Sequence, residues 1–367
     1  MTKLVHGGDI YTAMEKGTAK EEILDYSANI NPLGMPEGVK RAIGKVLDDC
    51  DHYPDPLCRR LARAVAEKEG VPEERLIFGN GAADLIFRLT AAIKPENALI
   101  PAPTFAEYEQ ALRSAGCGVG IHALCEENGF ALGEGFLSEL TEDLDLIFLC
   151  NPNNPTGRLI ERDFLRKVLD LCEKKNIFAV VDECFLDFVT DPQAVTVKDW
   201  TGEYTRLFIL RAFTKNYAMP GLRLGYGICG NRKLLDRLTA AGQPWSVSLL
   251  AQEAGVAALK EDAYLEEARQ LIFQERKRLV QGLSELGYQV FPPAANYIFF
   301  RLPDKNDPAY AARFTEDLAE EGILIRSCAN YRGLKTGYFR IAVRGKEENE
   351  RLLRALNRRE RLWQKQL

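Results

Sequence analysis

The sequence predicts an α/β fold: a large domain built on a mostly parallel sheet, followed by a small α+β C-terminal domain. Three observations carry this reading. From residue 75, short apolar runs alternate with amphipathic stretches, the rhythm of strand and crossover helix. The runs are β-branched or aromatic and continuous rather than alternating, as strands covered on both faces are. After residue 231 this rhythm gives way to a long polar and apolar segment, and then to a second, shorter set of strands and helices.

Taken in order, the continuous runs place strands at 76–78, 98–100, 146–149, 178–181, 207–210 and 224–228. Amphipathic helices between them are expected at 84–93, 105–115 and 161–174. Residues 246–286 contain few breakers and read as one or two long helices. Beyond them, strands at 290–291, 297–300, 323–325 and 339–343 alternate with helices at 308–321 and 346–362. The chain ends in a basic stretch, 358–367, expected to be a solvated surface helix. The organisation is therefore an N-terminal arm and small-domain segment over 1–50, the large domain over 51–245, connecting helices over 246–285 and the small domain over 286–367. Repeats and low-complexity segments are absent.

A chain of 367 residues with 46% apolar residues can bury a large core. Its net charge of −5, with no long basic block, does not indicate a nucleic-acid partner, so a small molecule is the expected ligand. Nine cysteines, an odd number with no C-x-x-C pair, read as buried thiols in a reducing compartment. Three histidines make a multi-histidine metal centre improbable chemistry for this chain. No run approaches the ~20 apolar residues that span a bilayer, and residues 1–10 lack a signal-peptide core. A cytoplasmic location without a membrane partner is expected.

The informative stretch is Asn151-Pro-Asn-Asn-Pro-Thr-Gly157, directly after a strand ending at Cys150, where α/β sheets present ligand-binding loops. Asp182-Glu183 ends the next strand, and Thr214-Lys215 ends the one after, with Arg223 eight residues beyond Lys215. Each feature alone is ordinary: a Pro/Asn turn, a polar strand end, a surface lysine. Together they set an amide, an acid, a lysine and an arginine at loops beside consecutive strands. That set matches pyridoxal phosphate, for which a lysine forms the Schiff base, a carboxylate pairs with the pyridinium nitrogen and a cation holds the phosphate. Upstream, Gly79-Asn80-Gly81 follows a strand and opens a helix whose free N–H groups can cradle a phosphate. Phe105, just past another strand end, is placed to stack on the pyridine face.

With these motifs the sequence resembles the fold-type-I pyridoxal-phosphate enzymes, in the branch that holds histidinol-phosphate aminotransferases and threonine-phosphate decarboxylases of cobalamin synthesis. The resemblance covers essentially the whole chain. His6-Gly7-Gly8, Ser27-Ala-Asn-Ile-Asn-Pro-Leu-Gly34, Pro244-Trp245-Ser246-Val247 and above all Ile325-Arg-Ser-Cys-Ala-Asn-Tyr331 favour the decarboxylase side. The resemblance implies Lys215 as the Schiff-base lysine, Asp182 on the pyridinium nitrogen, and Asn154 on the ring hydroxyl and beside the substrate. Thr214, Arg223 and the Gly81-Ala82-Ala83 turn are implied to hold the cofactor phosphate. Tyr53 is implied to reach the cofactor phosphate of a neighbouring subunit, which means a homodimer with shared active sites. Arg340 is implied to grip the substrate α-carboxylate, and His6, Asn29 and Arg326 the substrate phosphate. Three positions depart from the pattern. Phe185 stands where the aminotransferases place a tyrosine, and Ala212 and Ala83 stand where relatives often carry hydroxyls, so the phosphate cup has lost two side-chain donors.

The expected reaction is decarboxylation of L-threonine O-3-phosphate to (R)-1-amino-2-propanol O-2-phosphate. A substrate with a phosphate and a carboxylate needs two cationic clamps, and Arg326 and Arg340 stand in different loops. Transamination of histidinol phosphate is the alternative, and decarboxylation of O-phosphoserine, one methyl group smaller, is a third. A regulator of transcription built on this fold is disfavoured, because the pattern begins at His6 and the chain is net acidic.

Overall fold

The computed structural model describes residues 6–303 and 308–364. A two-residue strand, β1 (Leu24–Asp25), precedes the main sheet. That sheet is formed by β2 (Leu76–Asn80), β3 (Asn97–Ala102), β4 (Gly118–Ala123), β5 (Leu146–Cys150), β6 (Phe178–Asp182), β7 (Leu207–Ala212) and β8 (Leu224–Cys229), in the order β2-β8-β7-β6-β5-β3-β4. Strand β8 runs antiparallel to both neighbours and the remaining pairs are parallel. All six expected strands of this unit are present. The seventh, β4, was not expected, and its composition explains why. It is a half-exposed edge strand beginning Gly-Val-Gly, with no continuous apolar run to mark it.

The continuous runs of the central strands have a direct structural cause. Successive side chains point to opposite faces of a sheet. Here Leu146, Phe148 and Cys150 enter one core, while Ile147 and Leu149 enter the other. Helices Ala82–Ile93 and Ala106–Ser114 cover the first face, and Arg162–Lys175 covers the second. With both faces apolar, the strands align their C-terminal ends along one edge, where Asn80, Cys150, Asp182 and Ala212 end their runs.

The segment at 246–286 is two helices, Leu249–Ala258 and Asp262–Glu285. The first is capped by Ser248, whose hydroxyl accepts the Ala251 N–H at 3.2 Å, and it packs into the core of the large unit. The second contributes Ala268, Ile272, Leu279 and Leu283 to a separate core. Around that core lie β9 (Gln289–Val290), β10 (Tyr297–Arg301), β11 (Ile323–Leu324), β12 (Arg326–Ser327) and β13 (Tyr338–Ala342). An antiparallel sheet in the order β12-β13-β10-β9 holds four of them, and β11 pairs in parallel with β1. The strand expected at 323–325 is thus shorter, ending at Leu324, and a separate strand of the other sheet begins at Arg326. Tyr26, fully buried in this core, ties the N-terminal segment to it, and its carbonyl accepts the Ala342 N–H at 2.8 Å.

Two expectations are corrected. The basic C-terminal stretch continues a single helix, Lys346–Gln364, and is not merely solvated: the buried Arg359 guanidinium pairs with Asp317 at 3.1 Å and Glu360 at 2.8 Å. Residues 365–367 of that stretch lie outside the described residues. The cysteines are all unpaired, but Cys50 and Cys125 are exposed, one in a surface turn and one in the loop after the edge strand β4. Among the described residues no helix is long and apolar enough to cross a membrane, and no cluster of His, Cys, Asp and Glu could hold a metal ion.

Candidate active site

The strand ends of the main sheet, the N-terminal arm and the β12–β13 pair enclose a cavity of about 390 Å³, within the range of small-ligand sites. From the large unit, Ala82, Ala83, Phe105, Asn154, Asp182, Ala212, Thr214, Lys215 and Arg223 line it. His6 and Asn29 line it from the arm, and Arg326 and Arg340 from the small unit. Of the expected site residues, only Gly81 and Tyr53 are not on its wall.

Gly81 lies just behind it. Its φ of +81° favours glycine, and an added Cβ would stand 2.5 Å from Arg223 Nη2. On β8, a Cβ at Gly225 would stand 2.4 Å from the Ala82 nitrogen. These two glycines let the Arg223 guanidinium approach the start of helix Ala82–Ile93. The free N–H groups there, that guanidinium and the Thr214 hydroxyl form a cradle for an anion.

Asp182 closes β6. Its Oδ2 accepts the Tyr108 hydroxyl at 2.5 Å and its Oδ1 accepts the Cys184 N–H at 2.9 Å, and burial raises its pKa. Glu183, one residue on, faces the other way, and its Oε2 pairs with the buried Arg211 at 3.0 Å. The alternation of the strand therefore assigns one acid to the cavity and the other to a buried ion pair.

Lys215 sits in the single turn Phe213–Asn216 that follows β7. The arm pins this turn: the Asn31 N–H donates to the Lys215 carbonyl at 3.1 Å, and Asn31 Nδ2 donates to the Asn216 carbonyl at 2.8 Å. Burial first, and then the charges of Arg340 and Arg223, bring the Lys215 amine down to about 8.

The loop after β5 is fixed through Asn153, whose Nδ2 donates to the Pro103 carbonyl at 3.0 Å and whose own carbonyl accepts the Tyr297 hydroxyl at 2.8 Å. That leaves the next side chain, Asn154, facing the cavity, where it meets Arg340 Nη1. The Arg340 Nη2 donates to the Ser27 carbonyl at 2.7 Å. Arg326 stands directly opposite Arg340 in the β12–β13 register. It donates to the Ser327 carbonyl at 2.6 Å and to Asn330 Oδ1 at 2.9 Å, and lies over the Tyr331 ring. Like charges directly opposite across an antiparallel pair are unfavourable by themselves. Two such arginines on one cavity wall mark a place for anions.

His6 is held by the close seating of Gly7, where a Cβ would meet the Ser27 carbonyl oxygen at 2.1 Å. Its Nε2 lies 3.4 Å from Glu107 Oε1. Burial, then Arg326 and Arg340, lower its pKa. Asn29 is buried, and its Oδ1 lacks a hydrogen-bond partner among the described residues, as do Arg340 Nε and Glu107 Oε2.

Tyr53 is not brought to this chain's cavity. It is 80% exposed and its ring stacks on Trp245 at 4.5 Å. Sequence reasoning missed Tyr108, Glu107 and Tyr331 as site residues. The first two lie in the same Pro103–Tyr108 stretch as Phe105. Nothing in their spacing announces that one fixes Asp182 and the other faces His6.

The residues present fit pyridoxal phosphate on the chemistry of the donors: an anion cradle with room made by glycine, a buried carboxyl, a lysine of lowered pKa and unpartnered polar atoms. Comparison with known proteins agrees. The family described as aminotransferase class I and II matches residues 21–356. The chain is 41% identical to threonine-phosphate decarboxylase of Salmonella typhimurium over 96% of its length and 95% of that protein. It is 32% identical, over 96% of its length, to a bifunctional adenosylcobalamin biosynthesis protein of Leptospira interrogans, of which it spans 40%. A crystal structure of histidinol-phosphate aminotransferase from Clostridium acetobutylicum superposes with a TM-score of 0.86 at 34% identity, covering 92% of this chain and 99% of that one. The fold, the lysine turn and the full-length similarity converge: the chain belongs to the aminotransferase class I and II family.

Proposed function

We propose that the protein is a pyridoxal-phosphate-dependent decarboxylase that converts L-threonine O-3-phosphate to (R)-1-amino-2-propanol O-2-phosphate in cobalamin biosynthesis. The observation that carries the reading is the pair of cross-strand arginines, Arg326 and Arg340, lining the same cavity as the lysine turn and the anion cradle. A substrate with one phosphate and one carboxylate satisfies both arginines at once. The 41% identity to a threonine-phosphate decarboxylase supports the same choice.

In this reading Lys215 provides the amine that holds the cofactor, Asp182 faces its ring nitrogen and Asn154 its ring hydroxyl. Phe105 covers the ring face. Arg223, Thr214 and the Ala82 and Ala83 amides take its phosphate. Bound here, pyridoxal phosphate supplies an electron sink for the pair left when the bond from the α-carbon to the carboxylate breaks. The chain's own residues decide which bond that is. Arg340 holds the carboxylate, while His6, Asn29 and Arg326 hold the phosphate at the other end. Two fixed ends set the orientation of the bond between them, so binding energy is used for alignment. Once CO2 has left, Lys215, whose amine is brought down to about 8, would be the group positioned to hold and return the proton to the α-carbon. Tyr108 fixes the Asp182 carboxyl through their 2.5 Å hydrogen bond.

The test is direct. Incubation with threonine phosphate, phosphoserine, and histidinol phosphate plus 2-oxoglutarate is expected to release CO2 from threonine phosphate without forming glutamate. Stoichiometric glutamate from histidinol phosphate, with no CO2 from threonine phosphate, would establish the aminotransferase instead. Phe185, buried against Tyr297 with ring centres 5.0 Å apart, offers no hydroxyl and supports the decarboxylase side.

The same reading includes a homodimer. Tyr53, Leu57 and Leu47 are more than half exposed, and Trp245 nearly so, an apolar group that a second copy is suited to cover. Tyr53 then acts at the partner's cofactor phosphate. Sedimentation is expected to give twice the 41.2 kDa chain mass, and a fully active monomer would overturn the shared site. A cytoplasmic location belongs to the same proposal, supported by nine unpaired cysteines.

A further inference from the structure

One acid in the cavity has no task in the scheme above. Glu107 lies in the first turn of helix Ala106–Ser114, its side chain 15% exposed. Its Oε1 approaches His6 Nε2 at 3.4 Å, and its Oε2 is sealed from solvent without a hydrogen-bond partner among the described residues. A buried carboxyl oxygen left unpaired is costly. A carboxylate here would also repel an incoming phosphate held by the adjacent His6 and Arg326. A neutral acid lowers the first cost, because an unpaired oxygen is cheaper to bury on an acid than on a carboxylate, and removes the second if its O–H, carried on the Oε1 side that faces His6, meets a phosphate oxygen in a short charge-assisted hydrogen bond.

We propose that Glu107, in its acid form, donates a hydrogen bond to the substrate phosphate beside His6 and thereby limits tight substrate binding to pH values at which it keeps its proton. The inference rests on the reading of the site as a phosphomonoester pocket. Burial pushes the Glu107 carboxyl up to about 7; Lys215 and Arg326 oppose this, and Asp182 adds to it. His6 faces it from the arm, its pKa lowered by burial first and then by Arg326 and Arg340. Arg326 faces it from β12, Lys215 from the turn after β7 would be engaged by the cofactor in the holoenzyme, and Asp182 is buried behind Tyr108. The phosphate itself gains its second charge near pH 6. Above about 7, then, Glu107 is the facing group whose change opposes binding.

For the holoenzyme, KM for threonine phosphate is expected to rise about tenfold per pH unit above pH 7, with kcat changing little. Glu107→Gln keeps a donor but cannot ionise, so its KM is expected to stay flat from pH 7 to 9. Glu107→Ala should raise KM at pH 6.5 by roughly tenfold. Calorimetric titration of each holoenzyme with inorganic phosphate at pH 8 supplies a readout apart from turnover: the wild type should take up close to one proton more than the Gln variant. An unchanged rise of KM in the Gln variant, equal proton uptake, or a loss of kcat at constant KM would overturn the role of Glu107. A wild type that releases no CO2 from threonine phosphate breaks the underlying reading instead.

Discussion

Lys215→Ala is expected to lose decarboxylase turnover by at least about 10²–10⁴-fold, the range set by a single positioned proton-transfer group, before the lost covalent link to the cofactor is counted. The visible absorption band of the loaded protein should disappear, and borohydride reduction should leave no cofactor attached to the chain. Full turnover in this variant, or a reduced adduct mapped to another lysine, would remove Lys215 from its role. A pH dependence accompanies it. With a pKa of about 8, roughly a tenth of the amine is neutral at pH 7, against less than a thousandth at the ordinary lysine value. The neutral amine is the nucleophile, so capture of pyridoxal phosphate by the cofactor-free protein should accelerate as pH rises to about 8 and then level off. The arginine charges contribute to that lowering after burial does. Replacing Arg340 should therefore move the midpoint to higher pH.

Arg340→Leu is expected to lower kcat/KM for threonine phosphate by roughly 30- to several-thousand-fold, the equivalent of the 2–5 kcal/mol lost when one member of a buried charged pair is removed. The buried guanidinium is anchored by Asn154 and the Ser27 carbonyl, so it meets the substrate in one orientation rather than as a mobile charge. Its loss should also loosen control of the breaking bond, so that the remaining reaction divides between CO2 release and amino-group transfer. The cofactor's absorption and the melting temperature report whether the site is otherwise intact. A variant with normal cofactor binding and normal kcat/KM would show that the α-carboxylate is held elsewhere.

That residues of the main sheet share one cavity was legible in the sequence because their placement obeys a local rule. Asn154, Asp182, Lys215 and Arg223 each fall at or just beyond the end of, or just before, a continuous apolar run, and a parallel sheet brings such ends to one edge. Even there the chain direction left something open. Asp182 and Glu183 are adjacent, and only the pleat of β6 and the position of Arg211 assign the first to the cavity and the second to a buried ion pair. Strand β4 escaped notice because an edge strand with one neighbour needs no continuous apolar run.

By itself, then, the sequence determined the alternation of elements, the mostly parallel α/β class and the set of groups that suits pyridoxal phosphate, since periodicity and strand-end position are encoded within a dozen residues of each site. Tertiary structure alone decided which distant groups share the cavity. The β12–β13 register sets Arg326 opposite Arg340, although 14 positions separate them in the chain. The pairing of β1 with β11 and the hydrogen bonds from Asn31 bring the arm, and with it His6 and Asn29, over the lysine turn. Glu107 and Tyr108, adjacent on one helix turn, meet two different partners, His6 of the arm and Asp182 of β6. Register and long-range hydrogen bonding join segments that are separated in the chain, from 14 positions for Arg326 and Arg340 to about 300 for β1 and β11, so no local pattern can encode them.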